Sequence, residues 1–246
     1  MPEGDHAPWR PAADWVDAAG GIDLWCGALR LPEGDEGCLD PEERARAARF
    51  IHASRGASFT AARSTLRRIL ARYVSANPGE VRFEYGPHGK PTLHPEHGRI
   101  SFNLSHSGDH LLLAVSREHP VGADLEVVRL DRRLLEIAAR FFAPEEYRRV
   151  LDAAPEDRAA LFYVYWSCKE AYLKFHGTGF SFPASDFCVA LGESHHTVAW
   201  TRLASDPSPA WQIASVDLPV PGYRAAVCSP MCGAVRRFSW PTADAL

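Results

Sequence analysis

Two short stretches of this chain combine residue types and spacings that suit chemistry. The first is Gly122-Ala123-Asp124-Leu125-Glu126. Alternate side chains of an extended strand share a face, so Asp124 and Glu126 project one way while Ala123, Leu125 and Val127 project the other. Neighbouring carboxylates repel, and removing them from water costs free energy unless a cation neutralises them. Such a pair on a strand patterned for burial suits a hard divalent ion; on spacing alone, a half-exposed strand with a solvated edge is the alternative. The second stretch is Trp166-Ser167-Cys168-Lys169-Glu170-Ala171-Tyr172-Leu173-Lys174. At helical spacing Trp166, Glu170 and Lys174 lie on one face, with Lys169 turned about 100° from Glu170. A solvated Glu–Lys pair would contribute only ~0.2–0.5 kcal/mol. This helix, however, is apolar nearly all round, which implies burial, and buried acid–base pairs are costly features that gather at functional sites. A third stretch, Asn103-Leu104-Ser105-His106-Ser107-Gly108 with Lys90 upstream in Gly89-Lys90-Pro91, offers hydroxyls, an imidazole and turn N–H groups to a phosphate. Read alone, such a stretch is more often a plain hairpin.

Composition bears on these stretches. The 27 basic residues include only three lysines, Lys90, Lys169 and Lys174, each in or beside one of them. An ammonium and a guanidinium are not equivalent at a tight phosphate contact, so lysines that persist among arginines draw attention. The net charge of −4 over 246 residues gives no strong field to collect nucleic acid or anionic membrane. Apolar runs such as Leu111–Val115 fall far short of the ~20 residues of a spanning helix, and the acidic, Pro-rich start shows no secretory signal; a cytoplasmic protein is expected. The six cysteines are scattered without a CxxC pair, which reads as reduced thiols rather than disulfides or zinc. His195-His196 has no ligand-spaced companion and reads as surface.

These residues must be positioned by the elements around them. Gly21–Leu31 alternates as a strand. Asp40-Pro41-Glu42-Glu43 opens a helix, with a capping acid, a first-turn proline and acids facing the helix dipole, that ends near His52. A second helix is expected from Ser58 to Val74, with Ala62, Leu66, Ile69, Leu70 and Tyr73 on one face. Short strands follow at 81–86 and 89–93, then a hairpin over 99–116 turning near Ser107-Gly108-Asp109, then a strand over 119–129. Helices are expected at Arg132–Phe142, Pro144–Asp152 and Glu156–His176, the last stopped by Gly177-Thr178-Gly179. Strands at 186–192, 197–203, 211–218 and 223–229 complete the chain. Strands after helices, twice over, predict an α+β fold. The two halves are similar in content and divide near His119-Pro120, into 1–119 and 120–246.

Together, Gly-x-Asp-x-Glu and the Trp-Ser-x-Lys-Glu-Ala-x-x-Lys stretch resemble the 4′-phosphopantetheinyl transferases of the surfactin-synthetase-activating (Sfp) type. The resemblance runs upstream through Gly-Lys-Pro and Phe-Asn-Leu-Ser-His-Ser-Gly. Downstream it continues through Gly-x-Gly-Phe-Ser-Phe-Pro into Gly222–Val227, covering roughly residues 40–230. It implies two similar α+β halves with the active site in the cleft between them. It also implies a reaction, in which coenzyme A donates its phosphopantetheine arm to a serine of an apo acyl or peptidyl carrier protein, releasing adenosine 3′,5′-bisphosphate. By the same resemblance, Asp124, Glu126 and Glu170 would hold Mg2+ against the coenzyme A pyrophosphate. Glu170 would act as base toward the carrier serine, and Lys174 would meet the departing phosphate oxygen. Lys90, Ser105 and His106 would hold the coenzyme's phosphates, with Asp124 and Lys169 also counted in that site, Lys169 as a brace. Arg46 falls where some relatives carry a phosphate-contacting base, while Glu43 stands where others carry lysine; Arg55 and Arg63 are further candidates. An acidic carrier would dock on Arg129–Arg149, beside Phe141 and Phe142. A monomer is expected, with neither nucleic acid nor membrane as partner. A metal-dependent nuclease could use the same acids, but it would need a basic groove. A carrier-binding module without activity would have no need of Lys90, Asp124, Glu126, Glu170 and Lys174 together.

Overall fold

The computed structural model describes residues 8–18, 20–30, 38–87, 89–177, 184–191, 212–230 and 234–240. The strands are β1 (Arg10–Pro11), β2 (Ile22–Ala28), β3 (Phe83–Tyr85), β4 (Pro91–Leu93), β5 (Ser101–Ser107), β6 (His110–Ser116), β7 (Gly122–Val127), β8 (Gln212–Ser215), β9 (Tyr223–Ser229) and β10 (Val235–Ser239). The helices are α1 (Pro41–Ala48), α2 (Ala53–Val74), α3 (Leu134–Phe141), α4 (Pro144–Asp152) and α5 (Pro155–His176). The fold is α+β, as expected.

Two sheets form the centre, one in the order β1-β10-β2-β6-β5 and one in the order β7-β9-β8, with β3–β4 a separate hairpin. Strand alternation decides what each face covers. On β2 and β6, Trp25, Leu113 and Val115 face α2, where they pack on Leu66, Ile69 and Leu70. Their neighbours Ile22, Leu24, Cys26, Leu112 and Ala114 face the second sheet and meet Ala123, Leu125, Ala225 and Val227. The far side of that sheet presents Ala226, Cys228 and Ile213 to α5, which also packs on α3 and α4. The layers therefore run helix, sheet, sheet, helix. Because α5 lies between a sheet and two helices it is apolar on nearly every side. No described helix is long and apolar enough to cross a membrane.

Gly122 sets how closely α5 approaches. A Cβ there would fall 2.1 Å from the Ala171 carbonyl oxygen and 2.4 Å from the Phe175 nitrogen. Only glycine lets β7 meet the helix backbone, and the next two side chains on that face are Asp124 and Glu126.

Local chemistry fixes the helix starts. Asp40 accepts from the Glu43 N–H (2.8 Å) and the Glu43 carboxylate accepts from the Asp40 N–H (3.1 Å), a capping box with Pro41 in the first turn. Glu43 is then buried between Arg63 (2.5 Å) and Arg67 (2.6 Å), and Arg67 also pairs with Asp40 at 2.6 Å. α2 begins at Ala53 rather than Ser58. Its first turn lacks an apolar stripe, and Gly56 is what admits it against α1, since a Cβ there would lie 2.9 Å from the Ala47 carbonyl oxygen.

Two further expectations are corrected. Of the strand expected at 186–192, the described residues 187–191 form no ladder. Their backbone is taken by side chains instead: the Val189 N–H donates to Glu146 (2.7 Å) and the Phe187 carbonyl accepts from Lys169 (2.7 Å). In addition β10, late in the chain, does not join the C-terminal sheet; it lies parallel between β1 and β2 of the N-terminal one. The strand expected at 197–203, His195-His196, Cys232 and the stretch from Thr178 to Pro183 lie outside the described residues. The described cysteines form no disulfide.

Candidate active site

The two sheets meet where β5 runs beside β7, and side chains join them in place of a ladder. Asn103, Ser105 and Ser107 share one face of β5. The Asn103 side-chain carbonyl accepts from the Ala123 N–H (2.9 Å), and the Ser107 hydroxyl accepts from the Val127 N–H (3.1 Å). The hydroxyls of Ser105 and Ser107 donate to Asp124 Oδ1 (2.9 Å) and Glu126 Oε2 (3.0 Å). The acidic strand is thus gripped along its length.

α5 brings the second stretch to the same place. The Lys174 ammonium donates to Asp124 Oδ1 at 2.5 Å and to the Ser105 hydroxyl at 3.0 Å. The indole N–H of Trp166 donates to Glu126 Oε1 (3.3 Å), and its ring stacks on Phe162 with Phe141 against its edge. Glu170, between Trp166 and Lys174, has no hydrogen-bond or ion-pair partner among the described residues. Burial, then the Asp124 carboxylate and more weakly Glu126, against the pull of Lys174, push its carboxyl up to about 7. Glu126 is also raised, by burial and then by Asp124. Three carboxylates and one ammonium therefore share a half-buried pocket in which negative charge is in excess.

Whether these residues suit a metal ion turns on two observations. Among the described residues no group of three or more Asp, Glu, His or Cys side chains is already arranged to hold one, and Lys174 occupies the near oxygen of Asp124. Yet Asp124 Oδ2 is buried with no hydrogen-bond partner. An orphaned carboxylate oxygen beside two further carboxylates is the donor chemistry of a hard divalent cation. The donor types suit such an ion, although the described side chains are not gathered around one.

The other candidates fall in different places. His106 stands at the rim, where the protein around it, and then Lys174, hold its imidazole below the ordinary value. Lys90 reaches from the β3–β4 hairpin to the end of α5, donating to the carbonyls of Lys174 (2.5 Å) and Phe175 (3.3 Å). Lys169, counted in that site as a brace, lies outside the pocket and makes its ties elsewhere. It is buried at 2% exposure, paired with Glu146 at 2.8 Å and donating to the carbonyls of Ala184 and Phe187 at 2.7 Å each. A side chain held so cannot touch a substrate. Arg63 is likewise taken by Glu43, whereas Arg55 is exposed. Arg46 is exposed with its guanidinium 5.0 Å from the Phe59 ring. It lines a separate cleft of about 560 Å3 with Arg49, Phe50 and Tyr85. Phe142, expected at the docking face, is core, stacked on Phe162; Arg129, Arg132, Arg133, Arg140 and Arg148 are exposed.

Sequence reasoning named Asn103 and Ser107 within a candidate phosphate-binding stretch, not as the side chains that grip the acidic strand. Their period-two spacing with Ser105, opposite the Asp124–Glu126 alternation, was the available signal. Glu146, which neutralises Lys169, carried none, because nothing in a helix's own sequence says what lies across from it.

An α+β fold with an acidic pocket between two sheets and a helix defines a class, and comparison with known proteins gives it a name. Residues 35–118 match the N-terminal part of the 4′-phosphopantetheinyl transferases and residues 120–228 the 4′-phosphopantetheinyl transferase superfamily. The 4′-phosphopantetheinyl transferase HetI of Nostoc sp. is 35% identical over 89% of each chain. The 4′-phosphopantetheinyl transferase Sfp of Bacillus subtilis is 31% identical over 78% of this chain and 82% of its own. The 4′-phosphopantetheinyl transferase psf-1 of Bacillus pumilus is 37% identical over 76% and 77%. The chain belongs to the 4′-phosphopantetheinyl transferase superfamily and is a phosphopantetheinyl transferase.

Proposed function

We propose that this enzyme transfers the phosphopantetheine arm of coenzyme A to a serine of an apo carrier protein, with Mg2+ and with release of adenosine 3′,5′-bisphosphate. The reading rests chiefly on the orphaned Asp124 Oδ2 beside Lys174 and the uncommitted Glu170. Asp124, Glu126 and Glu170 would hold the ion, which when bound supplies charge neutralisation to a pyrophosphate. The hydroxyl of a carrier serine needs a base at neutral pH. Glu170 would take that proton, directly or through water, a duty that competes with its hold on the ion. The serine oxygen forms a bond to the β-phosphorus of coenzyme A. The bond from that phosphorus to the bridging oxygen breaks, and its electron pair leaves with the bisphosphate. Lys174, one turn beyond Glu170, can turn its ammonium from Asp124 to that departing oxygen, because phosphoryl transfer depends on positioned charge more than on covalent help. His106, held neutral, donates or accepts a hydrogen bond at the rim, and Lys90 reaches a phosphate by leaving the α5 carbonyls. The carrier would approach over the exposed arginines from Arg129 to Arg148, where Leu130 is 88% exposed. We place the boundary of the two halves near Pro120, with β10 returned to the first, and take the protein to act as a monomer.

The test is an intact-mass measurement on an apo carrier incubated with coenzyme A and the enzyme, with Mg2+ or with chelator. A gain of one arm that needs both enzyme and Mg2+ supports the reading. No gain on any apo acyl or peptidyl carrier tried, with the enzyme folded and Mg2+ present, contradicts it.

A further inference from the structure

Tyr223 opens β9 and lies opposite Val127 in the ladder with β7. Its hydroxyl leaves that sheet and crosses to the β5–β6 turn. There it donates to Asp109 Oδ1 at 2.6 Å, lies 3.2 Å from His110 Nδ1, and has the His110 ring against its own at 4.9 Å. Gly108 in that turn has φ +58°, and a Cβ on it would fall 2.7 Å from the Tyr223 oxygen, so the turn is shaped to receive the phenol. These contacts close a ring of interactions. Tyr223 is laddered to Val127, the Val127 N–H donates to the Ser107 hydroxyl, Ser107 leads through Gly108 to Asp109, and Asp109 returns to Tyr223. Ser107 also donates to Glu126 Oε2. The ring fixes the distance between the turn of one sheet and the carboxylates of the other, where no backbone ladder does so.

We infer that Tyr223, through Asp109, is a positioning residue for the acidic pocket, clamping Ser107 onto Glu126 so that its carboxylate is pre-set for a divalent ion. The inference rests on the metal reading above and adds a residue remote from the pocket itself. Partners that orient ligating carboxylates commonly alter ion affinity by ~10–100-fold; one contact further out, about tenfold is expected here.

The experiment measures Mn2+ binding to the purified protein by calorimetry, without coenzyme A, for wild type, Tyr223→Phe, Asp109→Ala, the double variant and Asp124→Ala. Thermal midpoints are taken in parallel. Each single variant should bind Mn2+ about tenfold more weakly, and the double variant no more weakly than either, because both remove the Tyr223–Asp109 hydrogen bond that closes the ring. Asp109 is exposed, so its truncation carries the test even if Tyr223→Phe folds poorly. Wild-type affinity in the single variants, with only the thermal midpoint lowered, would overturn the inference and leave the metal reading standing. Additive losses in the double variant would overturn it too. Unchanged binding in Asp124→Ala would instead remove the metal reading, and the inference with it.

Discussion

The proposed chemistry rests on Asp124 first, because that side chain is nearly inaccessible (2% exposed), bound on one oxygen and orphaned on the other. Asp124→Ala should therefore reduce transfer below detection at any Mg2+ concentration, read by carrier mass. Glu170→Gln keeps shape and removes the base, so turnover should fall ~10²–10⁴-fold while coenzyme A affinity, measured by calorimetry, changes little; equal losses in both would argue against a base. The same carboxyl makes a stability prediction for the ion-free protein. Its value is raised from 4.5 to about 7 on folding, so between those values the folded state holds the proton and the unfolded state does not. Stability from this group is full below about 4.5 and is lost as pH rises through about 7, a change of order 1–3 kcal/mol. Denaturant titrations in chelator at acid and mildly alkaline pH should show that loss in wild type and a smaller one in Glu170→Gln, where Glu126 and Glu146, both also raised by burial, still contribute. At this scale much was legible. Alternation placed Asp124 with Glu126, and helical spacing placed Glu170 with Lys174. What was not legible is what faces a residue from another element. Lys169 sits one position from Glu170, yet its partners Glu146, Ala184 and Phe187 take it out of the site.

Among the elements, α5 against β7 is the contact the site depends on. Gly122→Ala would drive a methyl group into the backbone of α5, which cannot yield as a side chain would. A loss of ~3 kcal/mol or more is expected, with Mn2+ binding falling as the helix shifts. Lys169→Met leaves Glu146 charged and buried, at a cost of ~3–5 kcal/mol. Adding Glu146→Leu should restore most of that stability, since an apolar pair can replace a buried ion pair; thermal midpoints of the single and double variants decide it. Where an element's identity resides in its own residues, sequence gave its bounds closely. α4 has a first-turn proline, first-turn acids and a clean apolar face, and runs from Pro144 to Asp152 as expected. The segment 187–191 shows the opposite case. It alternates like a strand, but its backbone groups are satisfied by Glu146 and Lys169 across the core, an outcome no local pattern encodes.

The whole molecule is a stack of helix, sheet, sheet and helix, and its pocket exists because the β5 and β7 edges abut. Two halves were foreseeable from the order of elements. The return of β10 to the first sheet was not, because a parallel pairing between chain ends leaves no periodic trace. Phe238 stacks on Trp25 at 4.9 Å and Arg236 pairs with the buried Asp23 at 2.6 Å. A chain ending at Pro230 should thus leave β2 as a bare edge with Asp23 missing a partner. Such a truncation is expected to lose cooperative thermal unfolding, followed by circular dichroism, although every pocket residue remains. The central claim, that acids from β7 and α5 converge on one divalent ion during group transfer, is tested most directly by measuring Mn2+ affinity in the isolated protein for wild type, Asp124→Ala, Glu126→Gln and Glu170→Gln. Convergence predicts that each of the three variants loses affinity and that the losses are non-additive in combination. Wild-type affinity in Glu170→Gln, with β7 alone setting the binding, would contradict it.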